Sequence, residues 1–318
     1  MATRGLVLGA GGVLGAAWTI GALAAVEAEL GWDPREADVL VGTSAGSVMA
    51  ALLGSGISTQ QLIDHQRGVT VDGDPDIGYD YDRDSGGALP PLPRLRIGSP
   101  RAAVANALRP WRVTPMAALS AVLPEGRGSL EPVGAIVDAV NPGGGWSPHP
   151  RTWIVAMDYD NGRRVAFGRD GAPQASLRQA VMASCAIPGW YTPVHIGSRR
   201  YVDGGTCSPT SLDLVASLGL DEVVVVSPMT SLDYDAPTSM AARVERQLRR
   251  VVTRRLVREV KKVAATGTRV TLLGPGREDL EAIGANLMDP RRRARVLETS
   301  LRTSAAAVRT AESLLEAG

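Results

Sequence analysis

The stretch Val39-Leu40-Val41-Gly42-Thr43-Ser44-Ala45-Gly46-Ser47 joins one apolar run to a second, Val48–Leu53. The first run has the length of a buried strand and the second opens a helix, so Ser44 falls on a tight strand-to-helix turn. Gly42-Thr43-Ser44-Ala45-Gly46 fits the nucleophile-elbow pattern, in which glycines leave room for a strained turn. Such a turn places the Ser44 hydroxyl near the positive end of the helix. The stretch predicts an α/β fold with Ser44 as nucleophile; the alternative is an ordinary strand-to-helix turn.

The composition is that of a globular protein. The 318 residues are 44% hydrophobic and 21% charged, enough for one large α/β domain or two small ones. A net charge of +1 is too small to attract nucleic acid through the overall electrostatic field, so no nucleic-acid partner is expected. Cys185 and Cys207 are too few for a disulfide framework, and they favour reduced thiols and a cytoplasmic location.

The N-terminal segment carries no charge from Gly5 to Val26, and Arg4 precedes it. This pattern suits a signal peptide or a membrane span, but it also suits a buried core segment. Six glycines within the run disfavour a membrane-spanning helix. We therefore predict a strand over Arg4–Leu8, a loop over Gly9–Gly12 and a helix over Val13–Leu30.

The glycine-rich turn Gly9-Ala10-Gly11-Gly12-Val13-Leu14-Gly15 can present backbone N–H groups to an anion. One interpretation is a dinucleotide fingerprint, but Leu14 occupies its third glycine position and the next strand ends in the serine elbow. The other is an oxyanion hole for the carbonyl that Ser44 attacks, in which one donor contributes roughly 10²–10³ in rate. The neighbouring elbow favours the oxyanion hole.

A nucleophilic serine needs a base, and the chain has only three histidines. His65 is predicted on a surface helix, His149 in a loop between two prolines, and His195 as a packed strand residue. Serine triads on α/β-hydrolase folds end in a late histidine, which this chain lacks after His195. A carboxylate base is the better candidate, and Tyr201-Val202-Asp203-Gly204-Gly205-Thr206 offers Asp203 at a predicted strand end. The alternative there is an ordinary Asp-Gly turn.

These motifs together resemble those of the patatin-like phospholipases. Gly-Gly-x-x-Gly follows the first strand, Gly-x-Ser-x-Gly the second, and Asp-Gly-Gly comes later, preceded by the similar segment Ala183–Pro193. The resemblance covers about residues 4–230, apart from a divergent middle. It implies a lipid acyl hydrolase that uses neither a metal nor another cofactor.

The resemblance also assigns roles to individual residues. It implies a Ser–Asp dyad of Ser44 and Asp203, with Gly42 and Gly46 in the elbow motif and Gly204 and Gly205 after the base. It further implies that Gly11, Gly12 and Val13 lie near the oxyanion hole.

Leu14 is a departure from the family, which often has Arg or Lys at this position. Backbone donors survive the change, but a positive charge is lost. Two alternatives to a lipid acyl hydrolase stay open, and Leu14 keeps the second of them open. One is a carboxylesterase for small esters, and the other is a weakly catalytic lipid- or partner-binding protein on the same scaffold.

The order of predicted elements indicates a three-layer α/β/α sandwich with a mostly parallel central sheet. We predict a hairpin from Thr152–Met157 and Arg163–Phe167, and strands over Glu222–Val226 and Val270–Leu273. Residues 1–318 are expected to form a single domain. It carries a variable, lid-like insertion at about 70–130 and a helical C-terminal extension at about 237–318.

The stretch Ala241–Val263 combines an apolar helical stripe with nine arginines and lysines, opposed by Glu245 and Glu259 alone. The predicted stripe consists of Val244, Leu248, Val251, Val252, Val260 and Val263. One interpretation is a helix packed on the sheet with a solvated basic face. The other is a peripheral contact with a membrane of anionic phospholipid.

Overall fold

The computed structural model describes residues 2–75, 77–80, 84, 87–94, 97–103, 115–232 and 240–316. Parts of the insertion predicted at 70–130, and the first residues of the extension predicted at 237–318, lie outside these ranges.

Eight strands and nine helices have defined bounds in the described part of the chain. The strands are β1 (Arg4–Leu8), β2 (Val39–Thr43), β3 (Thr152–Asp158), β4 (Arg164–Phe167), β5 (Val194–Ile196), β6 (Arg199–Asp203), β7 (Glu222–Val226) and β8 (Arg269–Leu273). The helices are α1 (Gly12–Leu30), α2 (Ala45–Gly54), α3 (Thr59–Arg67), α4 (Pro115–Val122), α5 (Glu131–Val140), α6 (Leu177–Cys185), α7 (Met240–Ala264), α8 (Arg277–Ile283) and α9 (Arg293–Glu316). The strands predicted from apolar runs are confirmed to within one or two residues.

The strands form one sheet in the order β5-β6-β3-β2-β1-β7-β8, and β4 also pairs with β3. The pairs β3–β2, β2–β1, β1–β7 and β7–β8 are parallel. The hairpin of β3 and β4 is antiparallel, as predicted, and so are the pairs β3–β6 and β5–β6. The sheet is therefore mixed but mostly parallel. Because parallel strands share an edge for their carboxyl ends, the turns after β1, β2 and β7 meet there.

Helices cover both faces of this sheet. Leu6 and Leu8 of β1 face a large core shared with α1, α2, α6 and α9, whereas Val7 faces the opposite side. On that side Leu256 and Val263 of α7 are buried against the strands. The three-layer α/β/α sandwich predicted from the sequence is confirmed. The C-terminal residues supply β8, α7 and α9 to the same sandwich.

Helix α1 is the one helix in the described residues that is long and apolar enough to cross a membrane. It lies in the core, where Leu14 and Trp18 are almost fully buried. Helix α9 packs along it, and the Ser300 hydroxyl donates to the Trp18 carbonyl at 2.7 Å. Gly21 allows this approach, since a Cβ there would lie 2.5 Å from the Ser300 oxygen. The predicted buried strand, loop and helix are confirmed, with the helix beginning at Gly12.

Helix α7 corrects the predicted apolar stripe. Val244, Leu248 and Val251 are 60%, 54% and 62% exposed, whereas Arg246 and Arg249 are buried. The arginines can be buried because both pair with Glu245 and because Arg249 also donates to the Pro228 carbonyl at 2.5 Å. In the second half of the helix, the apolar side chains of Leu256 and Val263 are buried on the side that faces the sheet. The stripe prediction is thus wrong for the first half of α7.

Candidate active site

The elbow at Ser44 has a strained backbone. Ser44 has φ 54° and ψ −124°, a conformation that residues other than glycine rarely adopt. A Cβ on Gly42 would lie 2.5 Å from the Gly46 carbonyl oxygen, and one on Gly46 would overlap the Leu8 carbonyl. Both glycines of the motif are therefore required by close backbone packing, and the strain is held at the one serine between them.

Ser184 holds the elbow from below. The Ser44 N–H donates to the Ser184 hydroxyl oxygen at 2.8 Å, and that hydroxyl donates to the Val155 carbonyl at 2.5 Å. Ser184 is fully buried at the end of α6. It belongs to the segment Ala183–Pro193 that the sequence singled out, but the sequence offered no signal for this role.

Asp203 reaches the elbow through the register of the sheet. Thr43, the residue before Ser44, pairs with Val155 of β3, and the next residue, Ala156, pairs with Asp203 of β6. The Asp203 N–H donates to the Ala186 carbonyl at 2.9 Å, just past the helix that carries Ser184. One short segment, residues 184–186 at the end of α6, thus anchors both predicted members of the dyad. A Cβ on Gly204 would overlap the Val155 carbonyl, which explains that glycine.

The carboxyl group of Asp203 is buried, with 6% of the residue exposed. Burial raises the pKa of Asp203 from 3.8 to about 6, because it disfavours the charged form. The nearby Ser44 side chain opposes this rise, and so does the Gly205 N–H, which donates to the carboxylate at 2.7 Å. The carboxyl group therefore lies near Ser44 with a pKa close enough to neutrality to accept a proton.

The glycine-rich loop presents free donors beside Ser44. In the described residues, the N–H groups of Gly11, Gly12 and Val13 donate to no acceptor, and Gly12 and Val13 line the same cleft as Ser44. The next N–H, that of Leu14, is taken by the Leu287 carbonyl at 3.0 Å. Gly12 has φ +60°, and a Cβ there would lie 2.9 Å from the Met288 sulfur.

Leu14 occupies the position where the family often has a basic residue. Its side chain is fully buried in the core and is not among the residues that line the cleft. A leucine suits this position because the surroundings are apolar.

The cleft beside Ser44 is mostly apolar. It encloses about 100 Å³, and a wider cavity of about 420 Å³ adjoins it, sharing His65, Ile77 and Tyr79. The apolar lining of the narrow cleft comes from Val13, Ala16, Ile20, Ala45, Val48, Met49, Leu52, Leu62, Ile77, Leu130, Val133, Ile136, Ile187 and Met288. An apolar wall next to a serine and three free N–H groups suits an uncharged hydrocarbon chain attached to a carbonyl.

Two of the three histidines lie in other surroundings than predicted. His65 lines the cleft instead of lying on an outer surface, and its Nε2 lies 2.9 Å from the Ile77 carbonyl oxygen. His195 is exposed on the short edge strand β5 instead of packed, because alternate residues of that strand face the core. His149 lies 2.6 Å from the Ala37 carbonyl oxygen. Within the described residues, neither Ser44 nor Asp203 bonds a histidine.

Cys185 is a second nucleophilic group in the cleft wall. It is a free, buried thiol next to the elbow. Burial, and secondarily the charge of Asp203, raises the pKa of Cys185 to about 12. The thiol is therefore neutral near pH 7 and is a poor nucleophile compared with an activated serine.

Comparison with models of protein families identifies one family. The family model described as "Patatin-like phospholipase" matches residues 6–94 and 143–216, just over half of the chain. Among solved structures, VipD from Legionella pneumophila is 13% identical with a TM-score of 0.46; the alignment covers 98% of this chain and 67% of VipD. The type III effector protein ExoU is 18% identical with a TM-score of 0.39, covering 98% of this chain and 53% of ExoU. The family match contains Ser44, Asp203 and the glycine-rich loop, and the chain belongs to the patatin-like phospholipase family.

Proposed function

We propose that this chain is a serine acyl hydrolase that cleaves carboxylic esters of lipids through Ser44 and Asp203. The observation that carries the proposal is the strained, buried Ser44 next to the buried carboxyl group of Asp203, whose pKa the Ser44 side chain lowers. Strain of this kind persists only where the surrounding structure enforces it, and it clusters at reactive residues. Membership in a family of phospholipases supports an ester substrate.

The reaction begins when the Ser44 oxygen attacks the ester carbonyl and Asp203 takes the hydroxyl proton. The negative charge that develops on the carbonyl oxygen is stabilised by the free N–H groups of Gly11, Gly12 and Val13. Collapse of the tetrahedral intermediate breaks the bond to the alcohol, which leaves with the proton held by Asp203. Asp203 then takes a proton from water, and the resulting attack releases the carboxylic acid and restores Ser44.

The apolar cleft favours lipid esters over small ones. An acyl chain would lie along side chains such as Val48, Leu52 and Ile136 and remove apolar surface from water. A small-ester carboxylesterase is the second candidate. We expect turnover of p-nitrophenyl esters to rise with acyl length from two to about eight carbons, and a flat or falling series would favour the carboxylesterase.

Substitution of Ser44 tests the assignment as a whole. We expect Ser44→Ala to fold normally and to hydrolyse neither p-nitrophenyl esters nor phospholipid vesicles, with products followed by mass analysis. Wild-type protein should bind a fluorophosphonate probe covalently at Ser44, and the variant should not. Turnover near the wild-type rate in Ser44→Ala would refute the proposal, whereas a wild-type protein without label or turnover would favour the weakly catalytic binding protein. The cytoplasmic location stays a prediction, supported by the unbridged Cys185 and Cys207.

A further inference from the structure

The exposed large apolar side chains are confined to two segments of the described chain. One segment runs from residue 69 to 122 and the other from 232 to 257, and none lies between residues 123 and 231. These side chains are Val69, Val71, Leu89, Leu92, Ile97, Met116, Leu119, Val122, Leu232, Met240, Val244, Leu248, Val251 and Val257. Scattered exposed apolar residues need no explanation, but residues concentrated in this way mark a contact surface.

Helix α7 presents such residues as a continuous face. Met240, Val244, Leu248 and Val251 follow one another at three or four residues, the spacing that places side chains on one side of a helix. The opposite side is turned to the protein and contains Arg249, although arginine is among the residues least often buried. The helix thus exposes apolar side chains where a helix that only packed on the sheet would bury them.

The same outer face is basic. Arg254 and Arg258 are exposed, and with Arg250 they line a shallow groove of about 430 Å³ whose wall also includes Ser231 and Thr253. Guanidinium groups around one groove suit the oxygens of a phosphate diester.

The two acids of α7 do not neutralise this face. Glu245 pairs with Arg246 and Arg249, and Glu259 accepts from the buried hydroxyls of Ser208 and Thr210 at 2.6 and 2.9 Å. Both carboxylates are therefore committed to the side of the helix that faces the protein.

Both segments reach the edge of the sheet that carries Ser44. Arg249 of α7 donates to the Pro228 carbonyl, and Pro228 packs against Gly11 of the glycine-rich loop. From the other segment, the Ala88 carbonyl accepts from Asn286 at 2.8 Å, next to Leu287 and Met288, which cover Gly12. Both segments therefore have a residue close to the glycine-rich loop beside Ser44.

We propose that the outer face of α7, together with the exposed apolar residues of segment 69–122, docks this protein on a membrane of anionic phospholipid. The apolar side chains enter the headgroup boundary while the arginines contact lipid phosphates. A second copy of the chain fits this face less well, because a two-fold contact would bring Arg254 and Arg258 close to their own copies. The inference rests on the proposed function in that docking would deliver lipid esters to Ser44.

Vesicle sedimentation tests the docking separately from hydrolysis. Ser44→Ala protein is mixed with vesicles of phosphatidylglycerol and phosphatidylcholine or of phosphatidylcholine alone. We expect binding to the mixed vesicles, weak binding to phosphatidylcholine, and a loss of binding as salt rises, since exposed charges are screened within about 10 Å at 0.1 M. Arg254→Gln/Arg258→Gln should bind roughly tenfold more weakly, and Leu248→Ser/Val251→Ser should lose about as much.

A matched control removes two charges from the opposite edge of the sheet. Arg151 and Arg169 are exposed, one just before β3 and the other just after β4. Arg151→Gln/Arg169→Gln should bind vesicles as the parent does. All these pairs, made with Ser44 intact, should hydrolyse a soluble short-chain ester at the wild-type rate, so that failed docking is distinct from failed chemistry.

Three outcomes would overturn the inference. The first is unchanged vesicle binding in both α7 pairs, and the second is equal binding to vesicles with and without phosphatidylglycerol. The third is a concentration-dependent dimer that dissociates in Leu248→Ser/Val251→Ser, which would assign the face to self-association.

Discussion

Ser44 and Asp203 are held by short hydrogen bonds in a buried centre, whereas the outer face of α7 leaves Leu248 and Arg254 exposed to water. In the centre each contact joins one pair of atoms, and no neighbouring group can replace it. Removing one of these atoms should therefore lower the rate of hydrolysis by orders of magnitude. On α7 the contacts are repeated along the helix, so each side chain should contribute a graded, partly replaceable share. The comparison implies steep and non-additive substitution effects at the centre, and shallow ones at the surface.

The largest effect is expected for the base. Asp203→Asn keeps the shape of the side chain but cannot take the serine proton, so we expect kcat to fall by roughly 10²–10⁴. Because nucleophile and base act as a unit, Ser44→Ala/Asp203→Asn should be little worse than either single variant. Steady-state kinetics on a soluble ester measures kcat for the two single variants and the double variant. If the two single losses multiplied in the double variant, Ser44 and Asp203 would not act as a unit.

The same substitution should raise stability. The pKa of Asp203 is higher in the folded protein, about 6, than its ordinary 3.8, so the fold binds this proton more tightly than the unfolded chain does. The stabilising contribution of the proton is complete below pH 3.8 and is lost as pH rises through about 6. At pH 7 a neutral Asn escapes this penalty, and the free energy of unfolding should rise by up to about 3 kcal/mol. Denaturant titration at pH 7 and pH 5 should show the gain shrinking at the lower pH.

A smaller loss of kcat is expected on substitution of Ser184, whose hydroxyl oxygen accepts from the Ser44 N–H. Ser184→Ala removes the acceptor of the Ser44 N–H, and leaving that buried group unpaired should lower kcat by roughly 10–100-fold. The KM for a soluble ester should change little, because Ser184 does not line the cleft. Titration with a fluorophosphonate counts the reactive Ser44 sites. It therefore distinguishes a lower kcat per site from a smaller fraction of folded protein. Full activity per labelled site would show that Ser184 serves folding alone.

The pH dependence of kcat/KM should follow the ionisation of Asp203. The free enzyme needs Asp203 ionised, so kcat/KM should fall about tenfold for each pH unit below about 6 and level off above it. The limb should appear with a soluble ester, whose own ionisation does not interfere. A limb that stayed at the same pH in Asp203→Asn would assign it to another group.

The histidines should have the smallest effect. We expect His149→Ala and His195→Ala to keep near wild-type kcat, because neither side chain lines the cleft. His65→Ala should change KM more than kcat, since its ring forms part of the wall shared by the two cavities. A histidine variant that folded and lost turnover, while Asp203→Asn stayed active, would replace the Ser–Asp centre with a histidine mechanism.

The sequence by itself determined the features that depend on a few consecutive residues. The elbow is one of them, because Gly42 and Gly46 are required by backbone atoms within their own turn and in the adjacent strand. The strands β1, β2 and β7 are another, because continuous apolar runs of that length are stable only when buried on both faces. These features were predicted to within two residues because local sterics and burial decide them.

Only the tertiary structure decided which distant residues meet. Asp203 was a candidate on its motif, but its contact with Ser44 follows from the register of β3 with β2 and β6. Ser184 became visible only once α6 lay beneath the elbow. Helix α7 is the clearest case, because its pattern offered an apolar side and a basic side without saying which would be buried. Pairing of Arg246 and Arg249 with Glu245, and of Arg249 with the turn after β7, settled that choice. Such pairing depends on side-chain partners that no local pattern specifies.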